Sequence, residues 1–286
     1  MTPFSLNIKG RLMTYDRPAV MAVANFTPDS FYAASRTLGD DSRLADTVRR
    51  AIDEGADMID CGAYSSRPGA DDVSADEETR RLSHGLEIIR RVAPDAIVSV
   101  DTFRASVARR AVCDFGADII NDISGGTLDE AMFDTVAELG VPYVLMHMRG
   151  TPATMQSLTD YDGNVTAAVI ADLAAKADRL AQAGVCDIII DPGFGFSKTL
   201  EQNYRLLADL EAFKLLGRPL LVGVSRKSMA TRLLGISADE ALNATTVINT
   251  LAIERGASIL RVHDVKACRE AVSIIYDGLL PQTGQS

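Results

Sequence analysis

The stretch Glu54-Gly55-Ala56-Asp57-Met58-Ile59-Asp60 joins the end of a helical pattern to a short apolar run that closes on a carboxylate. The same order returns at Phe115-Gly116-Ala117-Asp118 and, in a looser form, at Arg255-Gly256-Ala257. Glycine readily takes the left-handed backbone conformation that ends many helices, so each copy indicates a helix followed at once by a strand. The repeat therefore predicts alternating helices and strands, which is typical of α/β folds.

Short apolar runs rich in Val and Ile continue this alternation along the chain. Each run is apolar at successive positions, as in strands of parallel sheets that are covered on both faces. The predicted strands are residues 19–24, 58–62, 97–100, 118–123, 143–148, 188–190, 220–224 and 259–262. Apolar residues at helical spacing lie between them, as at Val107, Ala108 and Ala111.

Eight strand–helix units in 286 residues predict a (β/α)8 TIM barrel that occupies residues 1–286 as a single domain. Residues 4–12 are predicted to form a hairpin that closes the bottom of the barrel. The alternative is an open doubly wound sheet. It is disfavoured because no predicted strand is followed by the Gly-x-Gly-x-x-Gly phosphate loop common in such sheets.

The composition of the chain limits the kinds of molecule that the protein is expected to bind. The chain has 29 basic and 39 acidic residues and a formal net charge of -10, which disfavours binding to nucleic acid. An anionic small substrate would instead need a local basic cluster. Residues 1–13 lack the apolar core of a signal peptide, and no segment approaches the roughly 18 apolar residues of a membrane span. We therefore expect a cytoplasmic protein that does not associate with membranes.

Polar residues follow nearly every predicted strand at its carboxyl end. In a barrel these ends share one face, where enzymes of this fold have their active sites. Any single Asp, Asn or Ser there could simply cap the next helix, and Asp60 is the best candidate for such a structural role. The whole set is harder to explain in that way. It comprises Asn25, Asp60, Asp101, Asn121 with Asp122, His147, Asp191, Ser225 with Lys227, and Arg261 with His263.

The residue types in this set indicate the kind of ligand. Carboxylates and amides suit a heterocycle with a row of N–H groups. A local basic cluster suited to a phosphate-bearing ligand is supplied by Arg67, Lys227, Arg261 and His263. Asn25 can offer one oxygen to Mg²⁺, whose other ligands are commonly waters and substrate phosphate. By contrast, Lys198 and the acidic residues between Asp71 and Glu78 are predicted to be solvated surface residues.

Several motifs, in order along almost the whole chain, resemble those of the dihydropteroate synthases. The first two are Asn25-Phe26-Thr27-Pro28-Asp29-Ser30-Phe31 and Asp60-Cys61-Gly62-Ala63-Tyr64-Ser65-Ser66-Arg67-Pro68-Gly69-Ala70. The others are Ser99-Val100-Asp101-Thr102, Ile120-Asn121-Asp122-Ile123, Leu145-Met146-His147-Met148, Asp191-Pro192-Gly193-Phe194-Gly195-Phe196, Val224-Ser225-Arg226-Lys227-Ser228 and Arg261-Val262-His263-Asp264.

The resemblance implies a TIM barrel, usually a homodimer, that acts in folate biosynthesis and is a target of sulfonamides. The reaction joins (7,8-dihydropterin-6-yl)methyl diphosphate to p-aminobenzoate, giving 7,8-dihydropteroate and diphosphate, with Mg²⁺ as cofactor. The implied pterin-binding residues are Asp101, Asn121, Asp191, Lys227, Met146 and Phe196. Diphosphate would meet Ser66, Arg67, Arg261 and His263, with Asn25 reaching it through Mg²⁺. The p-aminobenzoate pocket would comprise Phe31, Ser66, Pro68 and Ser225.

Two predicted loops depart from the family pattern. After Phe31 the family usually has Ser-Asp-Gly-Gly, whereas this chain has Tyr32-Ala33-Ala34-Ser35, so an expected aspartate is missing. Asp29 is the remaining loop candidate, and Asp40 and Asp41 are the alternative substitutes. The usual Gly-Glu-Ser-Thr becomes Ala63-Tyr64-Ser65-Ser66. These changes concern loop geometry, rate and sulfonamide affinity, and they leave the predicted pterin residues intact.

Two other functions compete with this prediction. A methyltransferase domain that passes a methyl group from methyltetrahydrofolate to a corrinoid shares the barrel and the acidic pterin floor, but it does not need the first two motifs or the Arg-x-His pair. A catalytically inactive pterin-binding protein would bind pterin and release no diphosphate. The altered loops motivate this second alternative, while the retained diphosphate candidates argue against it.

Overall fold

The structure is a computed structural model that describes residues 3–26, 38–64 and 73–279. The strands are β1 (Phe4–Ile8), β2 (Arg11–Tyr15), β3 (Ala19–Val23), β4 (Met58–Gly62), β5 (Ile97–Asp101), β6 (Ile119–Asp122), β7 (Tyr143–Met146), β8 (Ile188–Asp191), β9 (Leu221–Val222) and β10 (Ile259–Val262). The helices are α1 (Leu38–Asp53), α2 (Ala75–Val92), α3 (Ala105–Cys113), α4 (Met132–Leu139), α5 (Val165–Gln182), α6 (Leu200–Ala208), α7 (Ser228–Leu234), α8 (Leu242–Glu254) and α9 (Val265–Ser273), and a π-helical turn, Ile274–Leu279, follows α9.

Strands β3 to β10 form a parallel sheet in the order β8-β7-β6-β5-β4-β3-β10-β9. The two ends of the sheet meet through a parallel bridge between Ile190 and Leu220. Ile190 N donates to Pro219 O at 2.9 Å beside this bridge. The sheet is therefore a closed barrel, the predicted TIM fold is confirmed, and the open doubly wound alternative is wrong.

The strands are apolar on both faces because both faces are covered. Val20, Ile59 and Val98 belong to a core cluster that also contains helical residues such as Leu86 and Val107. The repeated glycines act as predicted at the helix ends, since Gly55, for example, has a φ of 94°. A side chain is strained in that conformation, which explains why glycine stands between these helices and strands.

The hairpin of β1 and β2 is antiparallel, and Phe4 stacks on Tyr15 with ring centroids 4.9 Å apart. Its inward side chains form one cluster with residues near the amino ends of the barrel strands: Phe4, Leu6, Ile8, Ala19, Met21, Met58, Ile97, Ile119, Val144, Ile189, Leu221 and Ile259. Lys9 fixes the turn by an ion pair with Asp118 at 2.6 Å. The amino end of the barrel is therefore filled with apolar side chains, and a polar site can form only at the other end.

None of the helices in the described ranges combines the length and apolar character needed to cross a membrane.

Candidate active site

Asp60 is a residue of β4 and lies among the polar groups of the barrel. Its side chain is completely buried. It accepts hydrogen bonds from Ser99 Oγ at 2.6 Å, from Asn121 Nδ2 at 3.3 Å and from Arg261 Nε at 2.7 Å. These donors stand on β5, β6 and β10. A carboxylate with such charge-assisted partners can remain buried, and here it joins four strands of the barrel.

Asp101 lies next to this cluster at the end of β5. Its Oδ2 is 3.3 Å from Arg261 Nη2, so the guanidinium bridges two carboxylates. Asp101 and Asn121 are neighbours across the β5–β6 pair. Desolvation by burial raises the pKa of Asp101 to about 7, against the opposing effect of Arg261. Arg261 was predicted to contact diphosphate, and it already balances two acids of the barrel floor.

Asp191 and Lys227 form a second polar pair on this face. Asp191 is buried, its Oδ1 accepts from Gly193 N at 2.7 Å, and burial raises its pKa. Lys227 Nζ donates to Phe194 O at 2.7 Å and lies 4.8 Å from the centroid of the Phe196 ring. Burial lowers the pKa of Lys227 to about 8, while Asp191 opposes the shift. An acceptor and a donor thus stand beside an aromatic face.

An apolar wall completes this side of the site. Met146, Met148, Ile123 and Met155 form one buried cluster, and Phe103, Leu128 and Phe196 pack against it. Met146 and Met148 both belong to this cluster. Residues two positions apart lie on the same face of an extended chain, so both methionines join the wall.

The remaining predicted residues of the described chain lie at the rim. His263 is exposed, and both its backbone N and its Nδ1 lie 3.2 Å from Ser225 Oγ. Ser225 is buried, so it orients the histidine. Asn25 is half-buried just after β3, between Ala24 and Phe26, whose backbone N–H groups bond to β4 carbonyls at 2.8 and 2.7 Å. The amide of Asn25 therefore stands at the mouth of the barrel.

Two strand-end residues, Asp122 and His147, were expected to point into the site, but they bond elsewhere. Asp122 accepts from Tyr143 Oη at 2.6 Å and from the backbone N–H groups of Ser124 and Gly126 at 2.7 and 2.8 Å. It therefore holds the turn after β6, because its neighbour Asn121 takes the inward position and successive residues of a strand alternate. His147 is buried and bonds to Lys198 instead.

The sequence also misplaced two charged residues. Lys198 was predicted to be on the surface, yet it is only 4% exposed, and its Nζ lies 3.0 Å from His147 Nδ1. Glu78, predicted as part of a solvated acidic helix start, is completely buried in α2. It accepts from Thr102 Oγ1 at 2.6 Å and pairs with Arg104. Neither partner is near in sequence, so no local pattern reveals the burial.

Five predicted site residues, Asp29, Phe31, Ser66, Arg67 and Pro68, lie outside the described residues. Within the described part of the chain, no three His, Cys, Asp or Glu side chains cluster as metal ligands. Asn25 offers a hard oxygen donor at an accessible rim position. This fits a Mg²⁺ ion that takes one protein ligand and completes its shell with water and phosphate oxygens.

Comparison with known proteins identifies what this chain is similar to. The family model described as "Pterin binding enzyme" matches residues 21–263. The dihydropteroate synthase of Escherichia coli K12 is 40% identical over 272 residues, which cover 93% of this chain and 94% of the relative. A structure of Xanthomonas albilineans dihydropteroate synthase with 4-aminobenzoic acid superposes with a TM-score of 0.86 at 37% identity, covering 98% of this chain and 99% of the other. A Yersinia pestis dihydropteroate synthase in complex with a sulfonamide drug gives a TM-score of 0.86 at 36% identity, covering 96% and 98%.

Proposed function

The chain belongs to the dihydropteroate synthases, the pterin-binding transferases of folate biosynthesis, and we propose that the carboxyl face of its barrel holds both substrates of their reaction. These substrates are (7,8-dihydropterin-6-yl)methyl diphosphate and p-aminobenzoate, and the products are 7,8-dihydropteroate and diphosphate. One observation carries the assignment: Asp101, Asn121, Asp191 and Lys227, from separate strands and loops, surround a single cluster of charges centred on Arg261.

The pterin ring is recognised by its hydrogen-bonding edge. Its 2-amino group and N3–H form a fork of two donors, which the Asp191 carboxylate accepts. Lys227 donates to the 4-oxo and N5 acceptors, while Asp101 and Asn121 pair with the remaining ring nitrogens. Met146 and Phe196 cover the ring faces, consistent with their place in the apolar wall. The pairing leaves no buried carboxylate without a donor, which is the condition for keeping such groups out of water.

Diphosphate is held at the rim of the same face. His263 and Arg261 supply positive charge, and Ser66 and Arg67 are the loop residues proposed to add donors. Asn25 is the residue that holds Mg²⁺, and the ion, when bound, supplies further positive charge to the leaving group. Because Arg261 also bonds to Asp60 and Asp101, its guanidinium is fixed in place before substrate arrives, and a preorganised charge stabilises the departing diphosphate more effectively.

The chemistry follows from a weak nucleophile and a good leaving group. The bond between the exocyclic carbon and the diphosphate oxygen breaks first, and the electron-rich dihydropterin spreads the positive charge. The aniline nitrogen of p-aminobenzoate then bonds to that carbon and loses a proton. Stabilising the diphosphate and orienting the ring therefore matter more than a strong general base, and we assign no covalent nucleophile.

The p-aminobenzoate pocket is proposed to comprise Ser225 together with Phe31, Ser66 and Pro68, which lie outside the described residues. Asp29 is the loop candidate for the missing aspartate near the reacting carbon or the metal. Solved relatives bind 4-aminobenzoic acid and a sulfonamide drug, which supports the same pocket for both ligand types here. The residues that depart from the family pattern, Tyr32–Ser35 and Ala63–Ser66, adjoin these candidates in sequence, so affinity for sulfonamides is the property they are expected to alter.

We further propose that the protein is a homodimer joined through α8 and α9. This surface exposes Leu242, Val247 and Ile274, and a groove of about 590 Å³ runs between the two helices. Leu242 and Ile274 line the groove itself, and exposed apolar surface of this kind is the surface we propose the second copy to cover. Sedimentation velocity should give a dimer for the native chain and a monomer for Val247→Asp. Leu215→Asp, at an 83% exposed position outside this surface, should remain dimeric. A monomeric native chain would contradict the proposal.

The cytoplasmic location expected from the sequence stays a prediction.

One assay tests the central proposal. Purified protein is mixed with the dihydropterin diphosphate, p-aminobenzoate and Mg²⁺, and both diphosphate and dihydropteroate are measured. Equal amounts of the two products are expected. Pterin binding without release of diphosphate would instead indicate an inactive pterin-binding protein.

In calorimetry, Asp191→Ala should lose pterin binding because both acceptors of the fork are removed, and retained micromolar affinity would refute that assignment.

A further inference from the structure

We propose that Lys198 is a positioning residue for pterin binding, whose buried ammonium holds the loop between β8 and α6 in the conformation that presents Asp191 and Phe196 to the ring. This inference rests on the proposed function, because it takes Asp191 as the acceptor of the pterin fork. Lys198 itself does not touch the ligand in this role.

The ammonium group uses its full donor capacity inside the protein. Burial lowers the pKa of Lys198 to about 7 against the opposing effect of Asp191, so the charged form with three donors is the one present below about pH 7. Lys198 Nζ lies 3.0 Å from His147 Nδ1, 3.0 Å from Gly193 O and 3.0 Å from Phe196 O. An ammonium has three N–H donors and no acceptor, so this geometry satisfies it without water. The side chain thus joins the end of β7 to two points of the β8–α6 loop.

Each bonded loop residue is directly connected to a pterin-binding group. Gly193 donates its N–H to Asp191 Oδ1 at 2.7 Å, which fixes the orientation of the carboxylate. The Phe196 ring lies 4.8 Å from Lys227 Nζ. Lys198 therefore couples the acceptor and the aromatic face that the proposed function assigns to the pterin.

The rest of the loop does not depend on Lys198. Ser197 is held by Tyr161 Oη, which donates to its carbonyl at 2.9 Å, and by its own Oγ, which accepts from Arg149 N at 3.0 Å. Gly195 N donates to Asn203 Oδ1 at 2.7 Å. These bonds fix Gly195 and Ser197 without Lys198, so loss of Lys198 should loosen chiefly the carbonyls of Gly193 and Phe196.

The proposal requires a particular tautomer of His147. Burial and the charge of Lys198 lower the pKa of His147 to about 2, so the imidazole is neutral. If Nδ1 accepts from Lys198, the single ring proton must be on Nε2. The chain has only three histidines, so the ring nitrogens of His147 can be assigned by ¹⁵N NMR of the native protein. An Nδ1-protonated ring at pH 6, where Lys198 is charged, would overturn the proposal without any mutation.

The second experiment uses Lys198→Met, which keeps the length of the side chain and removes the donors. Calorimetry with the dihydropterin diphosphate and Mg²⁺ should show a Kd at least tenfold higher than that of the native protein. The KM for p-aminobenzoate should change less than twofold. Lys214→Met, at an exposed lysine paired with Glu211, is the control and should match the native protein in both values.

The outcomes separate this inference from the function on which it rests. If the native protein does not bind the dihydropterin diphosphate, the proposed function fails. If the native protein binds and Lys198→Met binds within twofold, only the positioning role is wrong. A parallel loss of both substrates together with a large fall in Tm would also overturn it, because that result describes general unfolding.

Discussion

Asp60 accepts donors from Ser99, Asn121 and Arg261, which reach it from three other strands. The sequence favoured it as a structural residue, and its bonds support that role: Asp60 holds residues of the proposed pterin site in place and does not cap a helix. Removing one member of a buried ion pair leaves the other charge without its partner, which is far more costly than losing a surface pair.

Asp60→Ala should therefore lower the free energy of unfolding by about 3–5 kcal/mol, the range for breaking a buried ion pair. Urea denaturation at pH 7 measures this change. Asp114→Ala is the control, because Asp114 pairs with Arg110 on the surface of the protein. Exposed pairs contribute at most about 1 kcal/mol. Equal losses in the two variants would show that the Asp60 cluster does not stabilise the fold.

The pKa shifts at the site predict its pH dependence. Asp191 must be ionised to accept the pterin fork, and burial raises its pKa, as it raises that of Asp101 to about 7. Lys227 must be protonated to donate, and burial lowers its pKa to about 8. Falling pH thus protonates the acceptors and rising pH deprotonates the donor, so kcat/KM for the pterin substrate should pass through a maximum between these limits.

Lys227→Arg tests the alkaline limb of this profile. A guanidinium stays protonated across the accessible range, so the fall in kcat/KM above about pH 8 should move to higher pH, even if the maximal value is lower. The measurement is kcat/KM for the dihydropterin diphosphate in matched buffers, with the native protein as reference. An alkaline limb that does not move would assign it to another group.

At the scale of elements, the loop between β8 and α6 carries much of the site. Helix α6 starts with a capping box in which Thr199 Oγ1 accepts from Gln202 N at 3.2 Å and the Gln202 side chain accepts from Thr199 N at 2.9 Å. At the other end of the loop, Gly193 has a φ of 72°, and a Cβ there would lie 2.0 Å from His147 O. Only glycine allows the chain to approach β7 this closely.

Gly193→Ala should raise the Kd for the dihydropterin diphosphate at least tenfold, because the clash displaces the N–H that orients Asp191. Gly184→Ala is the matched control, since its φ is 99° but no atom lies within 4 Å of the added Cβ. That variant should lose only the roughly 1–2 kcal/mol of a left-handed alanine and bind pterin normally. Calorimetry and thermal melts of both variants provide the comparison. Similar pterin affinity in the two would contradict the role of the close approach.

At the scale of the whole molecule, the two ends of the barrel have different tasks. Apolar side chains of the hairpin and the strand starts fill the amino end, whereas charged and amide groups line the carboxyl end. In barrels of this type, residues at the carboxyl end serve the reaction and those at the amino end serve stability. The same distinction should appear in the effects of mutations.

Leu6→Ala should lower the free energy of unfolding by about 2–5 kcal/mol, because it leaves a cavity at a position that is 1% exposed. The Kd for pterin should not change, since the cavity lies at the opposite end of the barrel. Leu12→Ala, on the same hairpin but 72% exposed, is the control and should have little effect on either quantity. Weakened pterin binding in folded Leu6→Ala would show that the two ends are coupled.

Local patterns in the sequence determined the fold and the approximate location of the site. A glycine before a strand indicates the backbone conformation that ends a helix, and a continuously apolar strand indicates burial on both faces. Both signals come from residues that are neighbours in sequence. Once the barrel is inferred, its geometry brings all strand ends together, so the location of Asp101, Asn121, Asp191 and Lys227 on one face could be predicted from position alone. The resemblance to a known family supplied their expected roles.

Only the tertiary structure decided which side chains pair with one another. Asp60 and Arg261 are 201 positions apart and meet only when β3 places β4 and β10 on its two sides. The same is true of Lys198, whose partner His147 belongs to the neighbouring strand end, and of Glu78, whose partners follow β5. A lysine or glutamate is normally kept at the surface by the cost of burying its charge. Donors and acceptors supplied by distant segments remove that cost, and no local pattern in the sequence records them.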